Sequence, residues 1–293
     1  MESSEWEQWI VFNGESERAD VSYKSLWTAK SMIFAIAAVG GNPITTFKGW
    51  TKYLKKNVIV VAYCPAGRAT RSQQKSPENV DDVIREIVEG IPKIFQRYKE
   101  MNNGVGLEKY GIYGHSYGSV IAFQAALELE DLAKKTKSKG WPACELLVGG
   151  RRAPSIRMNP GDYGIPAWDS PNDDLIRWIE SIGGTPASLL YSESFAEIFL
   201  PIVRTDLRLH EQYCAKSQDE ITQKLERISI TYFGGTHDLI DKAEQEAWAQ
   251  HTRASCVFVW FESTHFFPFT DTAQLVTDIL NLLLHCHDHI FWD

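Results

Sequence analysis

Continuous apolar runs recur along the chain, and their spacing sets the expected architecture. Residues 31–39 form one such run, ended by Gly40-Gly41-Asn42-Pro43, which reads as a buried strand entering a sharp loop. Residues 57–63 repeat the pattern and are closed by Pro65 and Gly67, far enough downstream for a parallel crossover. Shorter runs at 110–114, 145–148, 228–233 and 256–261 read the same way. Between them the period changes. Val80, Val83, Ile84, Ile87, Val88, Ile91, Ile94 and Phe95 recur at three- and four-residue steps, which predicts an amphipathic helix over 79–99 with Pro92 as a candidate kink. Residues 47–55 look helical, and residues 119–129, rich in Ala, Leu and Glu, are a strong helix former directly after the strand at 110–114. Alternating strands and helices imply a mainly parallel, doubly wound sheet within a single domain over 1–293.

Residues 154–213 break that rhythm. They hold helical pieces at 173–182 and 192–200 but no good strand, and are expected to be a lid insertion over the active-site edge of the sheet. The basic run 134–139 ends at Gly140 and reads as an exposed loop tip.

Composition narrows the class. With 293 residues, 44% hydrophobic and 12% aromatic, the chain can bury a large core. A net charge of −8 argues against a nucleic-acid partner, which calls for a basic surface. Residues 1–30 are polar and carry Glu2, Glu5, Glu7, Glu15 and Glu17, with no apolar leader core; the run at 32–39 is too short to span a bilayer. No membrane span and a cytoplasmic location are expected. Five scattered cysteines, an odd number, fit a reducing compartment. The nearest approach to a metal motif is His285-Cys286-His287-Asp288-His289, where His285 and His289 would share a helix face. A frayed polar terminus is the favoured reading, so no metal is assigned.

Chemistry enters at Gly114-His115-Ser116-Tyr117-Gly118, a G-x-S-x-G sequence between an expected strand and an expected helix. In that context the glycines let the backbone turn sharply enough to expose Ser116 at the mouth of the helix. A serine hydroxyl needs an imidazole to take its proton and a carboxylate to fix the imidazole's tautomer. His265 follows the last expected strand and Asp238 follows the one before it. The chain order Ser, Asp, His is that of the α/β-hydrolase fold. The other histidines compete poorly: His115 is expected to point away on the far side of the elbow, His210 falls in the insertion, His237 adjoins the acid and His251 lies in a helical segment. Asp206, the rival acid, is expected in an Arg–Asp pairing that organises the lid. Backbone N–H groups of Tyr117 and Val39 are the candidate oxyanion donors, and an ordinary strand-ending turn at Gly40-Gly41 is compatible with that role.

More particular sequences accompany these: Pro65-Ala-Gly-Arg68 followed by Arg71, Gly150-Arg-Arg-Ala-Pro154, Gly183-Gly-Thr-Pro186, Leu200-Pro-Ile-Val-Arg-Thr-Asp206 and Thr264-His-Phe-Phe267. With the elbow they cover most of the chain, which resembles the type II thioesterases of polyketide and non-ribosomal peptide synthetases and the related medium-chain thioesterase of animal fatty acid synthase. Ala37-Ala38 stands where that family usually has Pro-aromatic or Pro-His, and Ser263-Thr-His265 where it ends Gly-Gly-His. The resemblance implies hydrolysis of acyl groups from the phosphopantetheine arm of an acyl or peptidyl carrier protein, with Ser116, Asp238 and His265 on the triad positions and no metal or organic cofactor. A monomer is the default expectation. Because carrier proteins are acidic, as this chain is, docking would call for a local basic patch, sought among Arg151, Arg152, Arg204, Arg208 and residues 134–139. Two alternatives stay open: a general carboxylesterase or lipase sharing the triad, and a non-catalytic scaffold that binds a synthase.

Overall fold

The structure is a computed structural model that describes residues 6–14, 24–136, 143–159, 161–183 and 185–285. Its strands are β1 (Trp9–Asn13), β2 (Ser31–Ile36), β3 (Val58–Tyr63), β4 (Lys109–His115), β5 (Ala143–Gly149), β6 (Ser229–Gly235) and β7 (Cys256–Phe261). They form one seven-stranded sheet in the order β1-β3-β2-β4-β5-β6-β7. β1 pairs antiparallel with β3, and the pairs from β3 to β7 are parallel. The mainly parallel sheet expected from the apolar runs is present. β1 lay hidden in the polar opening because it is only five residues long, although Trp9, Ile10, Val11 and Phe12 are all buried.

Both faces of the sheet are covered, which is why its strands read as continuous apolar runs rather than alternating ones. Met32, Phe34 and Ile36 face α2 (Val80–Met101) and α3 (Tyr117–Lys135); Ile33 and Ala35 face Phe47, Trp50 and the last helix. α2 matches the helix read at 79–99, with Asn79 Oδ1 capping Asp81 N at 2.9 Å, and Pro92 lies inside it without ending it. The helix read at 47–55 is displaced. α1 (Pro43–Phe47) starts earlier because Asn42 caps it and Pro43 suits a first turn; a 3₁₀ segment over Lys48–Lys52 follows.

Between β5 and β6 the described chain holds α4 (Asn172–Ile182), α5 (Ala187–Leu190), a π turn over Phe195–Phe199 and α6 (Leu200–Cys214). These have a small core of their own, including Leu175, Ile179, Phe195, Val203 and Leu207, against which Val39 packs. The helix read at 192–200 is that π turn, and the longer α6 begins where the reading stopped, since Pro201 stands in its first turn. α7 (Gln218–Ile221) precedes β6, α8 (Lys242–Glu246) separates β6 from β7, and α9 (Phe267–Thr270) and α10 (Thr272–His285) follow β7. Because β2 to β7 run in one direction, the loops after β2, β4, β5, β6 and β7 gather at one edge. Open α/β sheets bind their ligands at that edge.

Candidate active site

Ser116 sits between β4 and α3 with φ 55 and ψ −121, a positive-φ conformation unusual for a non-glycine residue. The flanking sequence makes the turn possible. A Cβ on Gly114 would lie 2.1 Å from Gly118 O, and one on Gly118 would lie 2.5 Å from Ile36 O, so neither position admits a side chain. Ser116 N donates to Gly149 O at 2.8 Å, and Ser119 Oγ lies 2.9 Å from Gly114 O and 2.8 Å from Gly149 O, tying the elbow to β5. The sequence places Ser119 only at the start of a helix; a hydroxyl three residues past Ser116 is the signal that it braces the turn.

His265 and Asp238 come from the loops after β7 and β6. Thr236 N donates to Phe261 O and His237 N to Ser263 O, so the loops are laced together. That brings His265 Nδ1 within 2.9 Å of Asp238 Oδ2. The Asp238 side chain is 2% exposed and the His265 ring 28% exposed, a buried carboxylate behind an accessible imidazole. Ser116, Asp238, His265, Tyr117 and Val39 line one cavity of about 310 Å³.

The loop after β2 is held from a distance. Gly40, at φ +70, donates its N–H to Asp206 Oδ2 at 2.8 Å. Asp206, on α6, also accepts from Arg68 Nη1 at 2.9 Å and Nη2 at 2.6 Å, and Arg68 Nη1 lies 3.2 Å from Gly41 O. The Arg–Asp pairing expected of Asp206 therefore exists, but its arginine lies in the loop after β3. Arg204 instead donates to Trp168 O and Asn172 Oδ1. Among the described residues the Val39 N–H meets no acceptor. Tyr117 N–H opens α3, where helix geometry leaves it without an intrahelical partner.

His115 departs from its expected orientation. Its ring packs 4.8 Å from the His265 ring and 5.1 Å from Phe267, not away from the site. As the last residue of β4 it shares a face with Tyr113, and strand alternation turns it toward the loop that carries His265. Burial, with the nearby His265, holds it well below the usual imidazole range, so it is neutral. A second cavity of about 660 Å³ adjoins the first, sharing Val39, His115, Trp178, Phe266 and Phe269 as a common wall.

The basic docking patch loses most of its candidates. Arg151 and Arg152 are buried, Arg208 donates to Pro77 O, and Lys134 lies near Glu130 and Asp131; residues 137–139 lie outside the described residues, as do 286–289 of the terminal His/Cys run. Among the described residues no cluster of three or more His, Cys, Asp or Glu is arranged to hold a metal, and no helix is long and apolar enough to cross a membrane. Cys64, Cys144, Cys214 and Cys256 are free thiols.

Comparison with known proteins gives the family and the fold. The gramicidin S biosynthesis protein GrsT of Aneurinibacillus migulanus is 25% identical over 249 residues, covering 85% of this chain and 87% of the relative. The medium-chain S-acyl fatty acid synthase thioesterase of Rattus norvegicus is 25% identical over 259 residues, covering 87% and 89%. Among solved structures, the RedJ thioesterase from the prodiginine pathway of Streptomyces coelicolor superposes with a TM-score of 0.67 at 21% identity, covering 87% of this chain and 86% of its own. The sheet and its flanking helices are those of the α/β-hydrolase fold. The thioesterase domain profile matches residues 32–283, from the start of β2 into α10. With a serine elbow, a paired histidine and aspartate, and a profile match across nearly the whole sheet, the chain belongs to the thioesterase domain family.

Proposed function

We propose that this thioesterase hydrolyses acyl groups from the phosphopantetheine arm of a carrier protein, with Ser116 as nucleophile, His265 as base and Asp238 as the group that orients His265. The observation that carries the reading is the 2.9 Å bond from His265 Nδ1 to Asp238, in one cavity with a serine on a strained elbow. With Nδ1–H donating to Asp238, the opposite nitrogen Nε2 is the acceptor for the Ser116 proton. Ser116 Oγ attacks the thioester carbonyl, the oxyanion takes hydrogen bonds from Val39 N–H and Tyr117 N–H, and the pantetheine thiol leaves with the proton from His265. Water, deprotonated by His265, then cleaves the acyl-enzyme and restores Ser116. Two adjoining cavities give the acyl group and the pantetheine arm separate room.

Residues 154–213 act as the lid in this reading, because Trp178 of α4 and Leu207 and His210 of α6 wall the cavity that holds Ser116. The carrier-protein partner rests on relatives that are named for gramicidin S biosynthesis and for fatty acid synthase. The working form is a monomer in the cytoplasm beside its synthase, a compartment with which the free thiols are compatible.

Turnover of acetyl- to decanoyl-loaded carrier protein, the same acyl groups on coenzyme A, and p-nitrophenyl esters tests the reading. Faster hydrolysis from carrier protein, lost by at least about 10³-fold in Ser116→Ala, is expected. Preference for the simple esters would transfer the chain to the carboxylesterases, and a folded protein inactive on all of them would make it a scaffold.

A further inference from the structure

Arg68, Arg71, Arg151 and Arg152 are buried, and they differ in how their charge is met. Arg68 is paired with Asp206 at 2.6 Å, Arg71 with Glu86 at 2.7 Å, and Arg152 lies near Asp162 and Glu244 at 3.4 and 3.6 Å. Arg151, only 6% exposed, has no carboxylate oxygen within 4.0 Å among the described residues. Its Nη2 lies 3.6 Å from Cys214 Sγ, its Nη1 rests against Met158 Sδ and its Nε has no partner. Thiol and thioether sulfurs are weak acceptors. A guanidinium removed from water without an anion is an unfavourable state that a fold keeps where something else supplies the charge.

The position of Arg151 says where that something binds. It lines the cavity that holds Ser116 and His265. It stands two residues after Gly149, whose carbonyl accepts the Ser116 N–H. Met158, which covers Nη1, lines this cavity and a third one of about 310 Å³ that shares Leu207 and His210 with it and is also lined by Cys214. His210 is held neutral by its burial and by the nearby Arg151, so it adds no competing charge. An unbranched thioether is the kind of side chain that moves aside for a ligand.

We propose that Arg151 is an oxyanion-recognition residue of the acyl cavity, selecting thioesters that bring a carboxylate close to the reacting carbonyl. The geometry favours a dicarboxylic acyl group, malonyl being the smallest common one, because Arg151 neighbours the nucleophile while the pantetheine phosphate lies many bonds from the sulfur. A fork of donors suits either oxyanion. The proposal rests on the thioesterase reading above, and its test separates the two.

Binding of malonyl-S-pantetheine, acetyl-S-pantetheine and acetyl-S-4′-phosphopantetheine is measured by calorimetry on Ser116→Ala and on the double variant with Arg151→Gln, and turnover of each by the wild type. The expected result is a malonyl preference over acetyl on the order of tenfold or more, lost with Arg151→Gln and partly kept by Arg151→Lys. A preference for the phosphorylated arm alone, removed by Arg151→Gln, would overturn the acyl assignment in favour of the phosphate. Equal binding of the three thioesters would overturn the anion site itself, whatever the turnover. Anion preference without turnover would instead count against the thioesterase reading and leave the site standing. Thermal melting is the second check: Arg151→Met should melt no lower than wild type in the absence of ligand. A clearly lower melting point would contradict the uncompensated charge from which the proposal starts.

Discussion

Ser116 owes its position to residues that lack side chains, Gly114 and Gly118, and to a hydroxyl, Ser119, that pins the turn to β5. Asp238 meets His265 through one hydrogen bond, on which its proposed role rests. Asp238→Asn should leave the fold in place but reverse the hydrogen-bonding demand on His265 Nδ1, lowering kcat by about 10⁴-fold, a loss of the size known for the equivalent change in a serine protease. Steady-state kinetics with circular dichroism checks this, and a loss below about tenfold would assign His265 a different orienting group. At this scale Ser116, Asp238 and His265 were legible because each stands at a strand end in the required chain order. The direction of His115 was misread, because the motif fixes the backbone and only strand alternation from Tyr113 fixes the side chain.

The loops and helices are coupled through one buried ion pair. Asp206 on α6 holds Arg68 and the N–H of Gly40, so the strand-ending loop that carries Val39, the proposed oxyanion donor, is tied to α6. Asp206 is thus a positioning residue. Asp206→Asn should reduce kcat by about 10- to 10³-fold with KM little changed, since an oxyanion donor acts in the transition state. It should also lower stability by about 3–5 kcal/mol, because Arg68 is left as an unpaired buried charge. Kinetics at a temperature where the variant is fully folded separates the effects, and an unchanged kcat there would reduce the pair to a structural role. The sequence showed both halves of this clamp but not their union: Arg68 and Asp206 are 138 positions apart, and Arg204 stood nearer in the chain. It likewise concealed β1, a short strand in a polar context, and α6, which starts at Leu200 where the helical piece read at 192–200 ends.

Across the whole molecule, buried titratable groups make stability depend on pH in opposing ways. Glu145 on β5 is pushed up to about 7 by burial, with Lys109 and the Thr231 hydroxyl opposing. Its folded state prefers the protonated acid, so its favourable contribution is complete below the unfolded carboxyl value and is lost as pH rises through about 7. Glu145→Gln should therefore gain stability over wild type between pH 5 and 8, by on the order of 3 kcal/mol at most, read from urea midpoints at both pH values. An equal difference at both would show that the carboxyl is ionised throughout. His115, His210 and His251 act in the other direction: burial lowers all three, so below the ordinary imidazole value the unfolded chain binds more protons and stability falls with pH. The sheet and its two covered faces were readable from apolar runs alone. What those runs could not convey is how residues 154–213 fold, because their small core is assembled from scattered positions between Leu175 and Leu207.

Acyl transfer to Ser116 is the step on which the rest depends. Rapid quenching of the wild-type protein with octanoyl-loaded carrier protein, followed by peptide mass spectrometry, measures it directly. An octanoyl adduct confined to the peptide that contains Ser116, formed before product and absent from Ser116→Ala, is the expected result. Sustained hydrolysis by Ser116→Ala, or an adduct on another residue, would contradict it.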